Sequence, residues 1–236
     1  MFDSMGSILE ALSPEQQIAC STQNNILLTA CPGSGKTRTL THRLAYQVLR
    51  DPASKKIKIA ITYTNRAAEE ITNRLEGMNI DQSSIWAGTI HQFCMHFIIR
   101  PYAMYSKRLC KGYRIIDDYS KKAYGREIAE RLGMHLNYYD DPFQYENVRT
   151  EYKRVLKEKK EIDFDAILLI SEELLASCAF IGSNIASVIS SILVDEFQDT
   201  NELQYSILST IYKANKSIIL MFVGDVNQAI YSSLGG

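Results

Sequence analysis

Between Ile26 and Leu40 the chain reads ILLTACPGSGKTRTL, and the spacing Ala30-x-x-x-x-Gly35-Lys36-Thr37 within it suits the holding of a polyphosphate. Gly33 and Gly35 can turn successive backbone N–H groups inward around an anion, at the start of a helix whose dipole favours negative charge. Lys36 is placed to reach the β- and γ-phosphates, and the Thr37 hydroxyl to ligate Mg²⁺. Cys31, Pro32 and Ser34 complete the loop, and Ala30 stands where a glycine is usual. The alternative is an ordinary glycine-rich turn with an exposed lysine. A nucleoside triphosphate is the ligand the pattern favours.

A second group of reactive residues lies in ILVDEFQDT, Ile192 to Thr200. A strand ending in Asp195-Glu196 delivers two carboxylates to the carboxyl edge of a sheet, where open α/β folds bind their ligands. Asp195 would hold Mg²⁺, directly or through water, and Glu196 would orient or deprotonate the water that attacks the γ-phosphate. An Asp-Glu pair after a strand can also be a helix cap with solvated charge.

Both groups need a sheet to position them. Apolar strand patterns lie at 25–30, 57–63, 85–88, 191–195 and 217–223, with helical spacing between them, as at Leu40, Leu44 and Val48. That alternation predicts an α/β fold with a mostly parallel sheet. Between Arg100 and Ser190 the strand signal fades to a short YRII, and helices are expected over Asp117 to Leu132, stopped by Gly133, and over Phe164 to Cys178. The expected organisation is therefore 1–99 and 191–236 forming one domain, interrupted by a helical insertion at 100–190.

Composition bounds the class. The 236 residues are 46% hydrophobic, enough for a substantial core, and the longest apolar run, IILMFV, is far short of a membrane span. Five cysteines without a C-x-x-C pair argue against a disulfide framework or zinc site, and a reducing cytoplasm is expected. His42, His91, His96 and His135 lack metal-ligand spacing. The formal net charge is −1, but residues 100–160 hold 15 Lys+Arg against 9 Asp+Glu. Much of that basic stretch, such as RTEYKRVLKEKKEID, reads equally well as a solvated helix face.

The order LSPEQQ, ACPGSGKTRTL, AITYTNRAAEEI, WAGTIHQF, DFDAILL, VDEFQDTNELQY and GDVNQAIY closely resembles the UvrD/Rep/PcrA-like superfamily 1 DNA helicases, over Leu12 to Gly236. The resemblance implies a RecA-like P-loop NTPase domain with a helical insertion subdomain, using ATP and Mg²⁺ to move on single-stranded DNA, 3′ to 5′, and to open duplex junctions. It implies that Gln16 contacts the adenine, that Arg38 lies near the base, and that Gln228 senses the γ-phosphate. Ser13 to Gln16 is also a capping box with Pro14 at the first helical position. Tyr63, Thr64 and Asn65, with Thr89 and His91, match segments that contact single-stranded DNA. Hydroxyls at strand ends suit backbone contacts and Tyr63 could stack a base, whereas Thr64 or Asn65 could simply cap the next helix.

Ser233-Leu234-Gly235-Gly236 departs from the family pattern, replacing an aromatic and an arginine. Family members also continue into a second RecA-like domain, so residues 1–236 alone are expected to bind nucleotide weakly and hydrolyse it at a background rate. Oligomeric state stays open. Two other readings are a P-loop NTPase that is not a helicase and a DNA-binding relative with weakened motor activity.

Overall fold

The structure, a computed structural model, describes residues 2–31, 33–137 and 139–225. In chain order it runs through helices α1 (Phe2–Glu10) and α2 (Pro14–Ser21), strand β1 (Ile26–Thr29), α3 (Lys36–Arg50), β2 (Ile57–Thr62), α4 (Asn65–Gly77), β3 (Ile85–Thr89) and the short α5 (Ile90–Phe93). A π-helical turn (Cys94–Ile99), α6 (Arg100–Tyr102), β4 (Arg114–Ile115), α7 (Asp118–Arg131), α8 (Glu146–Lys159), β5 (Glu161–Ile162) and α9 (Phe164–Ser177) follow. The described chain then continues through α10 (Ala179–Val188), β6 (Ile189–Val194), α11 (Glu202–Ala214) and β7 (Ile219–Gly224).

Two compact units result, Met1–Phe93 with Cys178–Gly236, and Cys94–Ser177. The joins expected at 99/100 and 190/191 lie C-terminal of these divisions. In the first unit the strand order is β1-β7-β6-β2-β3, with every pairing parallel. This is the α/β class expected, a RecA-like P-loop arrangement in which β1 and β6 both end at the same sheet edge.

The sheet forms because its strands are apolar on both faces. On one face Leu40, Leu44, Ala45 and Val48 of α3 pack with Ala60, Leu193, Met221 and Val223 and with Ile71 and Leu75 of α4, all buried. The alternate residues Ile59, Ile61, Ile192 and Val194 are also buried, as the two-residue period of a strand requires when the opposite face is covered. The i, i+4 spacing of Leu40, Leu44 and Val48 is therefore the core stripe of α3. Burying a side chain of that size stabilises by roughly 1.5–3 kcal/mol.

The second unit is mainly helical. Ile128 and Ala129 of α7 pack with Val148, Tyr152, Val155 and Leu156 of α8. Asp117 caps α7 by accepting from the Ser120 N–H at 2.8 Å, and Gly133 follows its C-terminus with φ 73°. The basic stretch on α8 is a charged, exposed face: Arg154 pairs with Glu151 and Glu158, and Arg149 with Glu146. Exposed pairs of this kind contribute little to stability.

Candidate nucleotide site and adjoining cleft

The loop after β1 turns as its glycines require. Gly33 and Gly35 have φ of 79° and 84°, a left-handed conformation that costs glycine almost nothing. Gly35 is the N-cap of α3 and offers no side chain to the first N–H groups of that helix, which leaves a helix N-terminus open to an anion. Lys36 is buried, and its ammonium donates to the Ala30 carbonyl at 3.2 Å, folded over the loop it would close around a phosphate. Ser34 N–H donates to the Cys31 carbonyl at 3.2 Å. Pro32 lies outside the described residues.

Two segments 158 residues apart in sequence meet at this loop. The Thr37 hydroxyl donates to Asp195 Oδ2 at 2.9 Å. Asp195 is buried, and burial pushes its carboxyl above the ordinary aspartate range, against the opposing effect of the Thr37 hydrogen bond. A hydroxyl and a carboxylate are hard oxygen donors, and a divalent cation would offset the burial of the Asp195 carboxylate more fully than Lys36 does alone, so the pair fits Mg²⁺. The remaining ligands would be phosphate oxygens and water. Among the described residues no group of three or more His, Cys, Asp and Glu is arranged to hold a metal by itself.

Gln16 and Arg38 flank the loop. Ser13 and Gln16 form the expected capping box on α2, with the Ser13 N–H donating to Gln16 Oε1 at 3.1 Å. The same amide's Nε2 donates to the Ser34 carbonyl at 3.1 Å, so one side chain caps a helix and touches the phosphate loop. Arg38 is exposed and its guanidinium donates to the Ala11 carbonyl at 2.7 Å. Beneath them α2 is fastened to α3, since the fully buried Arg43 donates to the Ala19 carbonyl and to that of Asn24. The Cys20 thiol donates to the Thr39 carbonyl at 3.3 Å, and burial pushes it up to about 12.

Glu196 is half-buried and directly follows Asp195 with a left-handed backbone, φ 51°, so its side chain departs in a different direction from its neighbour's. Non-glycine residues adopt that conformation rarely and cluster where function fixes the backbone. Gln198 donates to Glu196 Oε2 at 2.7 Å. Gln228 lies outside the described residues.

Tyr63, Thr89, His91, Asp195, Glu196 and Thr200 line one cleft at the carboxyl edge of β2, β3 and β6. Tyr63 is 68% exposed. Thr64 and Asn65 begin α4, and the Thr64 hydroxyl accepts from the Ala67 N–H at 3.1 Å as its N-cap. Thr89 is similarly engaged, its N–H donating to Gln92 Oε1 at 2.9 Å and its hydroxyl accepting from the Gln92 N–H at 3.3 Å. Thr200 and Gln204 also line this cleft and were not singled out in the sequence. They follow the two carboxylates in VDEFQDTNELQ, which was the signal available.

A family model described as an AAA domain matches residues 15–234. The chain belongs to this AAA domain family. The domain is 28% identical to the ATP-dependent DNA helicase PcrA of Leuconostoc citreum over 91% of this chain and 32% of that protein. It is 28% identical to DNA helicase II of Escherichia coli over 97% of this chain and 35% of that protein, and 27% identical to PcrA of Staphylococcus aureus over 98% and 35%. The AAA domain thus spans about a third of the length of the curated relatives it matches. The resemblance to UvrD/PcrA-like helicases read in the motifs is the same as that found by comparison. No helix among the described residues is long and apolar enough to cross a membrane. All five cysteines are free thiols.

Proposed function

We propose that this AAA domain is the N-terminal motor half of an ATP-dependent DNA helicase, coupling ATP hydrolysis to 3′ to 5′ movement on single-stranded DNA and to the opening of duplex junctions. The observation that carries the reading is the 2.9 Å hydrogen bond from Thr37 to Asp195, which joins the phosphate loop to the carboxyl end of β6. Around Mg·ATP, the loop from Ala30 to Gly35 and the N-terminus of α3 would bind the phosphates, Lys36 would neutralise charge on the β- and γ-phosphates, and Thr37 with Asp195 would hold Mg²⁺. Magnesium supplies charge neutralisation of the triphosphate when bound. Glu196 would orient or deprotonate the attacking water.

The cleft supports the DNA half of the reading. It begins at Asp195 and Glu196 and extends to Tyr63, Thr89 and His91, so a strand lying there would run beside the hydrolytic carboxylates. A second RecA-like domain in the full-length protein would complete the nucleotide site, in keeping with the greater length of the relatives. A cytoplasmic location is part of the proposal.

ATP turnover by the full-length protein, with and without single-stranded DNA, tests it. Strong stimulation by DNA is expected, with residues 1–236 alone at a background rate. Turnover indifferent to DNA would instead favour an NTPase of another class. Absence of turnover with Lys36, Thr37, Asp195 and Glu196 intact would favour a non-catalytic DNA-binding relative.

A further inference from the structure

Gln198 lies between the paired carboxylates and Thr200, and the motif reading leaves it without a task. Its side chain spans two segments. Nε2 donates to Glu196 Oε2 at 2.7 Å, and Oε1 accepts from the Asp225 N–H, just past β7, at 3.0 Å. Only one orientation of the amide satisfies both neighbours, because a carboxylate needs a donor and a backbone N–H needs an acceptor.

The fold makes room for this bridge. At Gly224 a Cβ atom would lie 2.3 Å from Gln198 Oε1 and 2.5 Å from Phe197 Cδ1, so the Gln198 amide rests against bare backbone at the end of β7. The carbonyl of the same glycine accepts from the Ala30 N–H at 3.1 Å, at the start of the phosphate loop. One glutamine therefore ties the carboxylate of Glu196 to the strand that also braces that loop. Glu196 needs such a tie, since its left-handed backbone sets the direction in which its side chain leaves but not where the carboxylate settles.

We propose that Gln198 is a positioning residue that holds the Glu196 carboxylate in place for the attacking water and anchors it to the C-terminal end of β7. The inference rests on the reading of Glu196 given above. Gln198 touches neither phosphate nor metal in this scheme, so its loss alters the chemical step and spares nucleotide binding. Misplacing a catalytic group by about 1 Å can cost roughly 100-fold in rate.

The test uses the full-length protein with saturating single-stranded DNA, measuring steady-state ATPase together with Mg·ATP binding by calorimetry. Gln198→Ala and Gln198→Glu should each lower kcat about 10- to 100-fold while the Kd for Mg·ATP stays within about twofold. Gln198→Glu keeps an acceptor for Asp225 but turns a like charge toward Glu196, so it should not rescue. Gly224→Ala should reproduce the kcat loss, and the double variant Gln198→Ala/Gly224→Ala should lose little more than either alone, since both break one contact. Should Gly224→Ala fail to fold, the two Gln198 variants decide. An unchanged kcat in Gln198→Ala overturns the proposal, as does a fall in kcat matched by an equal loss of nucleotide binding. Glu196→Gln separates the two levels. If it retains wild-type turnover, the role assigned to Glu196 fails; if it is inactive while the Gln198 variants are normal, only the positioning role fails.

Discussion

The two groups of candidate residues at the carboxyl edge of the sheet differ in what their side chains already do. Around the phosphate loop, Thr37 and Asp195 bond to each other across 158 residues of sequence, and Lys36 is folded over the turn it would close. At the adjoining cleft, whose lining includes Tyr63 and Thr89 while Thr64 follows at the start of α4, the Thr64 and Thr89 hydroxyls accept from N–H groups of the helices they precede, those of Ala67 and Gln92. Tyr63 is exposed. On the proposed reading, the first group suits a phosphate-bearing ligand held by a loop, a lysine and a hydroxyl–carboxylate pair. The second presents short polar termini and one ring, an arrangement suited to a strand gripped by its backbone and stacked on its bases without being read.

The comparison breaks most sharply at Lys36. Lys36→Ala in the full-length protein should leave less than about a tenth of the DNA-stimulated turnover, because no other cation of the loop can take over its contact with the transferring phosphoryl group. DNA binding without nucleotide should persist, since Lys36 is buried on the loop and absent from the cleft lining. Turnover above that level would remove the loop from the mechanism. Loss of nucleotide-free DNA binding would mean that the two groups act as one.

How much of this was legible in the sequence depended on how far each contact reaches. The loop is local, and glycines before a lysine and a helical stripe are enough to specify it, so positive φ at Gly33 and Gly35 and the buried faces of Leu40 and Leu44 follow from spacing alone. The meeting of Thr37 with Asp195 is distant in sequence but legible, because both segments end parallel strands at one edge. The task of Gln198 was not. Its acceptor role depends on Asp225, 27 residues further on, which the pairing of β6 with β7 brings within reach. The two-residue strand β5 escaped for a related reason: Glu161 and Ile162 carry no periodic signal, and their conformation comes from pairing with Arg114 and Ile115. The capping alternative weighed for Thr64 is the contact the structure contains.

A smaller effect is expected at Tyr63. If a base stacks on this ring, Tyr63→Ala should weaken single-stranded DNA binding by about 1–3 kcal/mol while Tyr63→Phe stays near wild type, since stacking needs the ring and not the hydroxyl. ATP turnover at saturating DNA should change little. Equal weakening in both variants would assign the contact to the hydroxyl and make Tyr63 another backbone clamp. A fluorescence titration with a labelled oligonucleotide distinguishes these outcomes.

The smallest effect, and the one that best separates a cap from a clamp, is expected at Thr64. Thr64→Ala removes the acceptor for the Ala67 N–H and should cost about 1 kcal/mol of stability, as the loss of an N-cap usually does. Thr64→Asp should restore that stability, because aspartate caps as well as threonine and its charge suits the helix N-terminus. The two roles then part. A carboxylate facing a DNA phosphate repels it, so a residue that both caps α4 and faces the backbone would give a stable Thr64→Asp protein with weakened DNA binding, most visibly at low salt where the charges are least screened. A residue that only caps would give Thr64→Asp with both properties intact. Denaturant melts paired with binding isotherms at two salt concentrations measure this directly. The outcome expected from the exposed position of Thr64 beside Tyr63 is the first, with stability recovered and low-salt affinity reduced. Recovery of both would confine the DNA contacts of this edge to Tyr63, Asn65, Thr89 and His91 and leave Thr64 to the helix it starts.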